Sequence, residues 1–171
     1  MGRVTPRVRA GIAAALVLAG GAAAYVATAT ATRSAPPIDY TLLDGTRHNL
    51  RQLQGQVVLV NFWATSCTVC VHEMPQIVAT HQKYGGRGYA TLAVAMQYDP
   101  PAYVAEFARR RALPFGVAID NTGAIARSFA DVPGTPTTFV IDRHGEIVQR
   151  YVGAPDFAAL HRLIEKLLRA A

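Results

Sequence analysis

The stretch NFWATSCTVCVHEMP, residues 61–75, contains both cysteines of the chain, Cys67 and Cys70. An apolar, aromatic run typical of a strand precedes the pair, and a stretch with helical periodicity follows it. Ser66 is a residue type that often caps a helix, so the cysteines are expected in the first helical turn. Free N–H groups and the positive end of the helix dipole favour a thiolate there. The pattern predicts a redox-active pair, with Cys67 as the exposed nucleophile and Cys70 as the resolving thiol.

Two other interpretations of the pair are a structural clip and half of a metal site. Closing a loop of about four residues removes chain entropy worth only roughly 1.9 kcal/mol, against about 3 kcal/mol for fifteen residues. One CxxC motif supplies two of the four ligands that a structural zinc ion needs. His72 and His81 are near in sequence, but helical spacing does not let both face Cys67. The residues therefore favour redox chemistry and indicate neither a metal nor an organic cofactor.

The charge of the chain is concentrated at its N-terminus. The 171 residues include 17 Lys and Arg and 11 Asp and Glu, a formal net charge of +6. Four arginines lie in the first 33 residues, which contain no acidic residue, so the remainder has 13 basic and 11 acidic side chains. This small excess, without a basic stripe, predicts no nucleic-acid partner. Apolar residues make up 51% of the whole chain, and the part after the first 33 residues is expected to fold as one globular domain.

Residues 1–33 are typical of a targeting segment. Three arginines precede an uncharged stretch from Ala10 to Thr32, which is long enough to cross a bilayer as a helix. The segment is either retained as an anchor in the inner membrane or cleaved as a secretory signal. Richness in arginine and alanine, with only two lysines, favours a bacterial protein. Residues 34–37 then form a linker, and both alternatives place the domain, residues 38–171, in the periplasm. A cysteine pair becomes oxidised there unless a reductant maintains it.

The remainder of the chain alternates strands and helices in a pattern that predicts a three-layer α/β sandwich over a mixed central sheet. A hairpin around Asp44 and Gly45 comes first, and an amphipathic helix closes the chain. No repeat and no second domain are indicated. Between that first hairpin and the closing helix, the predicted elements are a strand over 56–64, a helix ending at 85–86, a strand over 88–96, a helix over 100–113, a strand over 114–120, a short helix over 122–130 and an antiparallel hairpin over 137–153.

Two segments of the chain, VVLVNFWATSCTVCVHEMP (57–75) and VPGTPTTFVIDRHGEIV (132–148), resemble the TlpA/ResA-like thiol–disulfide oxidoreductases of the thioredoxin superfamily. The similarity extends over roughly residues 38–170. It implies a thioredoxin-like fold with an N-terminal hairpin and a central strand–helix insertion. It also implies that Pro136 is the cis-proline facing the disulfide, and that the backbone of Thr135 pairs with an extended partner peptide. Trp63, near the site, is expected to contribute to substrate binding or to core packing.

Three positions near the cysteines need separate interpretation. Asn61 stands where thioredoxins proper carry a buried acid that helps to move the proton of the second cysteine. Glu73, three residues after Cys70, is the only acid close in sequence. It is either the proton relay or a solvated carboxylate on the helix surface. Ser66 stands where many relatives have tryptophan, so the partner surface around Cys67 lacks a flat aromatic there. The apolar pattern of this helix predicts a buried stripe made of Val71, Met74, Ile77, Val78 and His81.

The resemblance implies a protein-disulfide reductase without a cofactor. Its electron donor is expected to be a membrane thiol reductase of the DsbD/CcdA type. Its expected substrates are disulfide-containing exported proteins, either apo-cytochrome c or assembly factors for the copper sites of terminal oxidases.

Two other functions occur on related folds. One is a copper-binding metallochaperone without redox turnover. Such proteins have a CxxxC motif and a histidine aimed at it, whereas here the spacing is CxxC and His144 falls in a hairpin turn. The other is a peroxidase, whose PxxxTxxC motif is absent because Val60 and Ala64 occupy the proline and threonine positions.

Overall fold

The computed structural model describes residues 33–170, so the predicted targeting segment, apart from Arg33, lies outside the described residues. None of the helices within that range is long and apolar enough to span a bilayer. The strands are β1 (Arg33–Ser34), β2 (Asp39–Thr41), β3 (Arg47–Asn49), β4 (Val57–Trp63), β5 (Tyr89–Ala95), β6 (Gly116–Ile119), β7 (Thr137–Ile141) and β8 (Glu146–Val152). The helices are a short 3-10 helix (Leu50–Leu53), α1 (Thr68–Tyr84), α2 (Pro101–Arg110), α3 (Ala124–Ser128) and α4 (Phe157–Arg169).

Six strands form one mixed sheet in the order β1-β8-β7-β4-β5-β6, and β2 pairs with β3 in a separate hairpin. β4, β5 and β6 are parallel, whereas β7 is antiparallel to its neighbours β4 and β8. The carboxyl ends of β4 and β5 therefore meet at the same edge of the sheet. The loop that carries the cysteines follows β4, so this edge is where the site is expected.

Strand β4 lies at the centre of the sheet, and all seven of its residues are buried. Its continuous β-branched and aromatic run suits this place, since both faces of the strand are covered. Because side chains alternate along a strand, its residues serve the two faces in turn. Val58, Val60 and Phe62 belong to one core cluster, and Val57, Leu59 and Trp63 belong to the other.

The two core clusters lie on opposite faces of the sheet and define three layers. Helices α1, α2 and α4 pack on one face, through Met74, Val104 and Leu160 among others. The β2–β3 hairpin, the 3-10 helix and α3 pack on the other face, where Tyr40 and Ile125 are buried. The predicted three-layer α/β sandwich is confirmed. The arrangement places α1, and with it the cysteine pair, on the face of the sheet to which Trp63 points.

The predicted linker, residues 34–37, begins inside the sheet. Arg33 and Ser34 form the edge strand β1, which pairs antiparallel with Ile147 and Glu146 of β8. The backbone N–H of Ala35 donates to the carbonyl of Gly145 at 2.8 Å. Arg33, Ser34 and Ala35 thus pair with the sheet although they precede the predicted boundary at residue 38. Two residues are too short for a strand pattern in sequence, and backbone pairing with β8 is what creates this element.

The buried face of α1 differs from the predicted stripe. Met74 and Ile77 are buried as predicted, but Val71, Val78 and His81 are only partly covered. The rest of the buried face consists of residues that the apolar pattern did not include, namely Cys70, Glu73, Thr80 and Tyr84. Their spacing of three and four residues is that of one helix face. The helix is therefore rotated by about one residue relative to the prediction, and this rotation turns Glu73 inward.

Candidate active site

Cys67 and Cys70 form a disulfide with an S–S distance of 2.10 Å. Cys67 is itself the N-cap of α1, and its sulfur accepts a hydrogen bond from the backbone N–H of Cys70 at 3.1 Å. The predicted cap, Ser66, lies one residue outside the cap position and is exposed. The correction follows from where the helix starts, because Thr68 is its first residue. The sulfur of Cys67 thus occupies the place where a free N–H and the helix dipole stabilise negative charge.

The two cysteines differ in their access to solvent. Cys67 is partly exposed. Cys70 has no exposed surface and points from α1 into the core that lies against the sheet. A partner disulfide can therefore reach Cys67 but not Cys70. The assignment of Cys67 as nucleophile and Cys70 as resolving thiol stays a prediction, and this geometry is compatible with it.

Glu73 lies in the interior, with only 2% of its surface exposed. Its Oε1 accepts a hydrogen bond from the side-chain amide of Asn61 at 3.1 Å, and the same amide donates to Oγ1 of Thr138 at 3.0 Å. Burial raises the pKa of Glu73 to about 7, with the Asn61 hydrogen bond acting in the opposite direction. The interpretation of Glu73 as a solvated carboxylate is therefore wrong. Its role as a proton relay stays a prediction.

Three buried polar atoms of β4 and α1 have no hydrogen-bond partner among the described residues. They are Oδ1 of Asn61, Nε1 of Trp63 and Oε2 of Glu73. Asn61 and Trp63 point to the same side of the sheet because they are two residues apart on β4. Buried polar atoms usually form a hydrogen bond, so these three atoms can each form one more. A protonated Glu73 supplies an O–H donor. The site can thus hold a proton one helical turn from Cys70.

The Thr135–Pro136 peptide bond is cis, as the family resemblance implies. Pro136 is buried, and its carbonyl accepts a hydrogen bond from the N–H of Gly153 at 2.8 Å. Thr135, just before strand β7, is partly exposed. Neither its N–H nor its carbonyl makes a backbone hydrogen bond within residues 33–170. These free peptide groups match the predicted pairing with a partner strand, which stays a prediction.

Trp63 has no exposed surface, although it was expected to contribute to substrate binding or to core packing. Its ring packs against Phe107 of α2, with ring centroids 5.0 Å apart. The residue is the last of β4 and points to the helix-covered face of the sheet. The core interpretation is therefore correct, and the assignment to the substrate-binding surface is corrected.

Two residues near the disulfide, Asp99 and Tyr98, were not predicted from the sequence as part of the site. Asp99 is buried, and its carboxylate accepts hydrogen bonds from the N–H and the hydroxyl of Thr65 at 2.6 and 2.5 Å. The hydroxyl of Tyr98 lies 3.2 Å from Oγ1 of Thr135. Both residues follow strand β5, whose carboxyl end lies beside that of β4. A polar residue directly after a buried parallel strand was the available signal.

Within residues 33–170, no three His, Cys, Asp or Glu side chains lie close enough together to hold a metal ion. His144 lies in the turn between β7 and β8, where its N–H donates to Oδ1 of Asp142 at 2.9 Å.

The chain matches the Redoxin family over residues 30–164. It is 32% identical over 135 residues to the thiol-disulfide oxidoreductase ResA of Bacillus thuringiensis subsp. konkukian, covering 79% of this chain and 77% of that protein. The solution structure of a protein assigned to the thioredoxins from Neisseria meningitidis has a TM-score of 0.76 and 36% identity, covering 82% of this chain and 93% of that one. A thiol:disulfide interchange protein of Chlorobium tepidum has a TM-score of 0.73 and 26% identity, covering 80% and 97% of the two chains.

The match to the family extends well beyond the cysteine motif. It includes strand β4, the helix capped by Cys67 and the cis bond before Pro136. Cys67 and Pro136 are 69 positions apart in the sequence. A short motif such as CxxC arises easily by chance, whereas similarity over most of the chain does not. The chain belongs to the Redoxin family and, within the thioredoxin superfamily, to the ResA-like thiol–disulfide oxidoreductases.

Proposed function

We propose that the protein is an exported reductase of protein disulfides that works by two successive exchange reactions. In the first, the Cys67 thiolate attacks one sulfur of a partner disulfide, and the other partner sulfur leaves as a thiolate. In the second, the Cys70 thiolate attacks the sulfur of Cys67, and the partner's remaining sulfur leaves. Two electrons have then passed from the cysteine pair to the partner, and the pair is left as a disulfide.

The observation that carries this proposal is the unequal exposure of two cysteines that are close enough to bond. Cys67 is partly exposed at the N-terminus of α1, and Cys70 is fully buried one turn inside. A partner can therefore form a mixed disulfide only through Cys67. Cys70 is held beside that sulfur, so its attack is intramolecular and favoured by proximity.

The partner is bound through its backbone. An extended partner segment lies along Thr135, whose N–H and carbonyl have no backbone hydrogen bond within residues 33–170. Pairing of this kind gives affinity from main-chain hydrogen bonds and leaves specificity to neighbouring side chains. It also directs the partner disulfide towards Cys67, at the same edge of the sheet.

Glu73 assists the second exchange by taking the proton of Cys70. A buried thiol ionises reluctantly, so Cys70 needs a base before it can attack. Glu73 is three residues further along α1, is buried, and has a pKa raised to about 7 by that burial. A base with a pKa near the working pH is well suited to transfer protons in both directions.

The partners follow from the compartment and the family. Residues 1–33 export the domain to the periplasm and, as a retained anchor, hold it at the inner membrane. A membrane thiol reductase of the DsbD/CcdA type returns electrons to the pair. The substrates are exported proteins with disulfides, namely apo-cytochrome c or assembly factors for oxidase copper sites. The support for these assignments is the leader sequence and the family resemblance.

The central test is a single turnover with insulin as a model protein disulfide. The protein is fully reduced, freed of reductant and mixed with excess insulin, and the thiols on both proteins are counted by alkylation and mass spectrometry. We expect one disulfide in the protein for every two thiols formed on insulin, and no transfer from the Cys67→Ser variant. If the wild-type pair stays reduced and instead binds copper stoichiometrically, the metallochaperone is the correct function.

Export is tested separately on the full-length chain expressed in a bacterium. A retained anchor predicts that the protein sediments with membranes and resists carbonate extraction. A soluble periplasmic product that lacks the leader would show that the segment is a cleaved signal.

A further inference from the structure

The loop after β5 places three consecutive residues against three different parts of the active-site edge. Asp99 contacts Thr65, which is two residues before Cys67. Tyr98 contacts Thr135, the residue before the cis-proline. Gln97 lies so close to Gly123 that a Cβ added there would meet its Oε1 at 2.3 Å. This loop therefore lies beside both the segment that leads into Cys67 and the segment that precedes the cis-proline.

Asp99 fixes the loop in place. It has 2% of its surface exposed, and both of its carboxylate oxygens accept hydrogen bonds from Thr65. Its own N–H donates to the carbonyl of Met96 at 2.9 Å, and the N–H of Met96 donates to the carbonyl of Trp63 at 3.0 Å. The backbone at Tyr98 is thus tied at two points to the segment that leads into the cysteine pair.

Tyr98 is an exposed aromatic residue that is nevertheless held at both ends. Its side chain is 57% exposed, while its hydroxyl lies within hydrogen-bond distance of Oγ1 of Thr135. The backbone of Tyr98 is held by Asp99, so the ring has little freedom to lose when a partner packs against it. Rigid, exposed tyrosines of this kind provide large contact area at low entropic cost in binding surfaces.

Apolar surface is also exposed on two other elements at this edge. Val69, between the two cysteines, is 50% exposed, and Val152 is 66% exposed. Val152 is in register with Thr137, and the next residue, Gly153, hydrogen-bonds to the carbonyl of Pro136. Tyr98 and Val152 therefore lie beside the Thr135–Pro136 segment, and Val69 lies between the two cysteines. Ser66, where many relatives have tryptophan, is exposed and contributes no aromatic surface.

We propose that Tyr98 determines which partners are reduced, by packing against an apolar side chain next to the reacting cysteine of an extended partner segment paired with Thr135. This inference rests on the proposed reductase function and specifies its substrate class. Tyr98 supplies, from the loop after β5, the aromatic surface that Ser66 does not. The hydroxyl contact with Thr135 aligns the ring with the backbone where the partner lies.

The test uses two peptides whose single cysteine is joined to thionitrobenzoate by a disulfide bond. The two peptides differ only in the residue beside the cysteine, which is leucine in one and serine in the other. The protein carries Cys70→Ser, so the reaction stops when Cys67 has bonded to the peptide sulfur and the thionitrobenzoate thiolate has left as the chromophore. Each variant is scored by the ratio of its rate constants for the two peptides. This ratio cancels any change in folding or in the reactivity of Cys67.

We expect the parent to prefer the leucine peptide by about tenfold, the effect of about 1.4 kcal/mol of aromatic packing. Tyr98→Ala should lower the preference to below about twofold, while Tyr98→Phe, which keeps the ring, should retain most of it. Tyr103→Ala is the matched control, since Tyr103 is an exposed tyrosine of α2, 65% exposed, and should keep the full preference.

An unchanged preference in Tyr98→Ala, or no preference in the parent, would overturn this inference alone. The symmetric disulfide of thionitrobenzoate, which has no peptide, separates this result from a failure of the function itself. If the parent does not react even with that small disulfide, the proposed reductase function is wrong, and the inference falls with it.

Discussion

The side-chain amide of Asn61 donates a hydrogen bond to the carboxylate of Glu73 at 3.1 Å, in the interior between β4 and α1. Thioredoxins proper, by the resemblance, carry an acid at the strand position of Asn61. Here the strand supplies a donor that cannot titrate, and the helix supplies the acid. The titratable group is thus relocated to the element that carries both cysteines, with its pKa raised to about 7 by burial.

Replacing Glu73 by glutamine should slow the second exchange. The substitution keeps the shape and one hydrogen-bonding oxygen but removes the base that takes the proton of Cys70. We expect the rate of mixed-disulfide resolution at neutral pH to fall by about 10²-fold, the low end of typical general-base contributions. The wild-type rate should rise with pH through an inflection near 7, and the variant should lack it. Stopped-flow measurement of resolution after preformation of the mixed disulfide checks both. An unchanged inflection would assign it to another group.

Glu73 should also make the stability of the domain depend on pH. Its pKa is about 7 in the folded protein against 4.5 for the free group, so the folded state binds more protons between these values. The free energy of unfolding should therefore fall as pH rises from about 4.5 to about 7 and change little from this cause above 7. Urea titrations of wild type and Glu73→Gln isolate the effect. The difference between the two proteins should change by a few kcal/mol across this window, and a constant difference would contradict the raised pKa.

The two thiols of the reduced protein should ionise differently. Cys67 lies at the N-cap of α1 and is partly exposed, so its pKa should lie below the free value of about 8.5. Cys70 is fully buried and should ionise at clearly higher pH. The rate of alkylation at each cysteine, followed against pH by mass spectrometry, measures the two values. Equal reactivity of the thiols would overturn the assignment of their roles.

Removing the resolving thiol should trap partners. In Cys70→Ser the nucleophile and its helix dipole remain, but the mixed disulfide can no longer be resolved. Exported proteins should accumulate as covalent complexes, visible as high-mass bands on a non-reducing gel that disappear with reductant. Cys67→Ser is the matched control and should trap almost nothing, because Cys70 has no exposed surface. The reverse pattern would mean that the order of attack is opposite to the one proposed.

Asp99→Asn should weaken the link between the β5 loop and the segment before Cys67. The amide nitrogen cannot accept, so the hydroxyl of Thr65 must turn to accept a hydrogen bond from it, and both contacts lose the charge of the carboxylate. Hydrogen bonds to charged groups contribute about 1.5–3 kcal/mol against about 0.5–1.5 kcal/mol for neutral pairs, and the difference should appear as a lower urea midpoint. The same carboxylate-to-amide change at Glu106, a partly exposed residue of α2, should shift the midpoint much less, since surface ion pairs contribute little. Equal shifts would show that the Asp99 contact is not special.

The sequence by itself determined most of the helices and strands and the position of the cysteine pair between a strand and a helix. The apolar run of β4 predicts a central strand because a continuous β-branched and aromatic run is typical of a strand that is covered on both faces, and all seven of its residues are buried. The disulfide between Cys67 and Cys70 lies where the CxxC motif predicts it, and the cis bond before Pro136 lies where the family resemblance implies it. Signals of this kind depend on residues that are close along the chain, where periodicity, capping and motif spacing operate.

Only the tertiary structure decided which side chains surround those atoms. The apolar pattern of α1 allowed more than one buried face, and packing on β4 selected the one that includes Glu73. Trp63 became core because β4 ends beneath α2. The contacts of Asp99 with Thr65 and of Tyr98 with Thr135 join residues 34 and 37 positions apart. Such contacts depend on strand order, register and helix rotation, which the whole core sets together and no local pattern encodes.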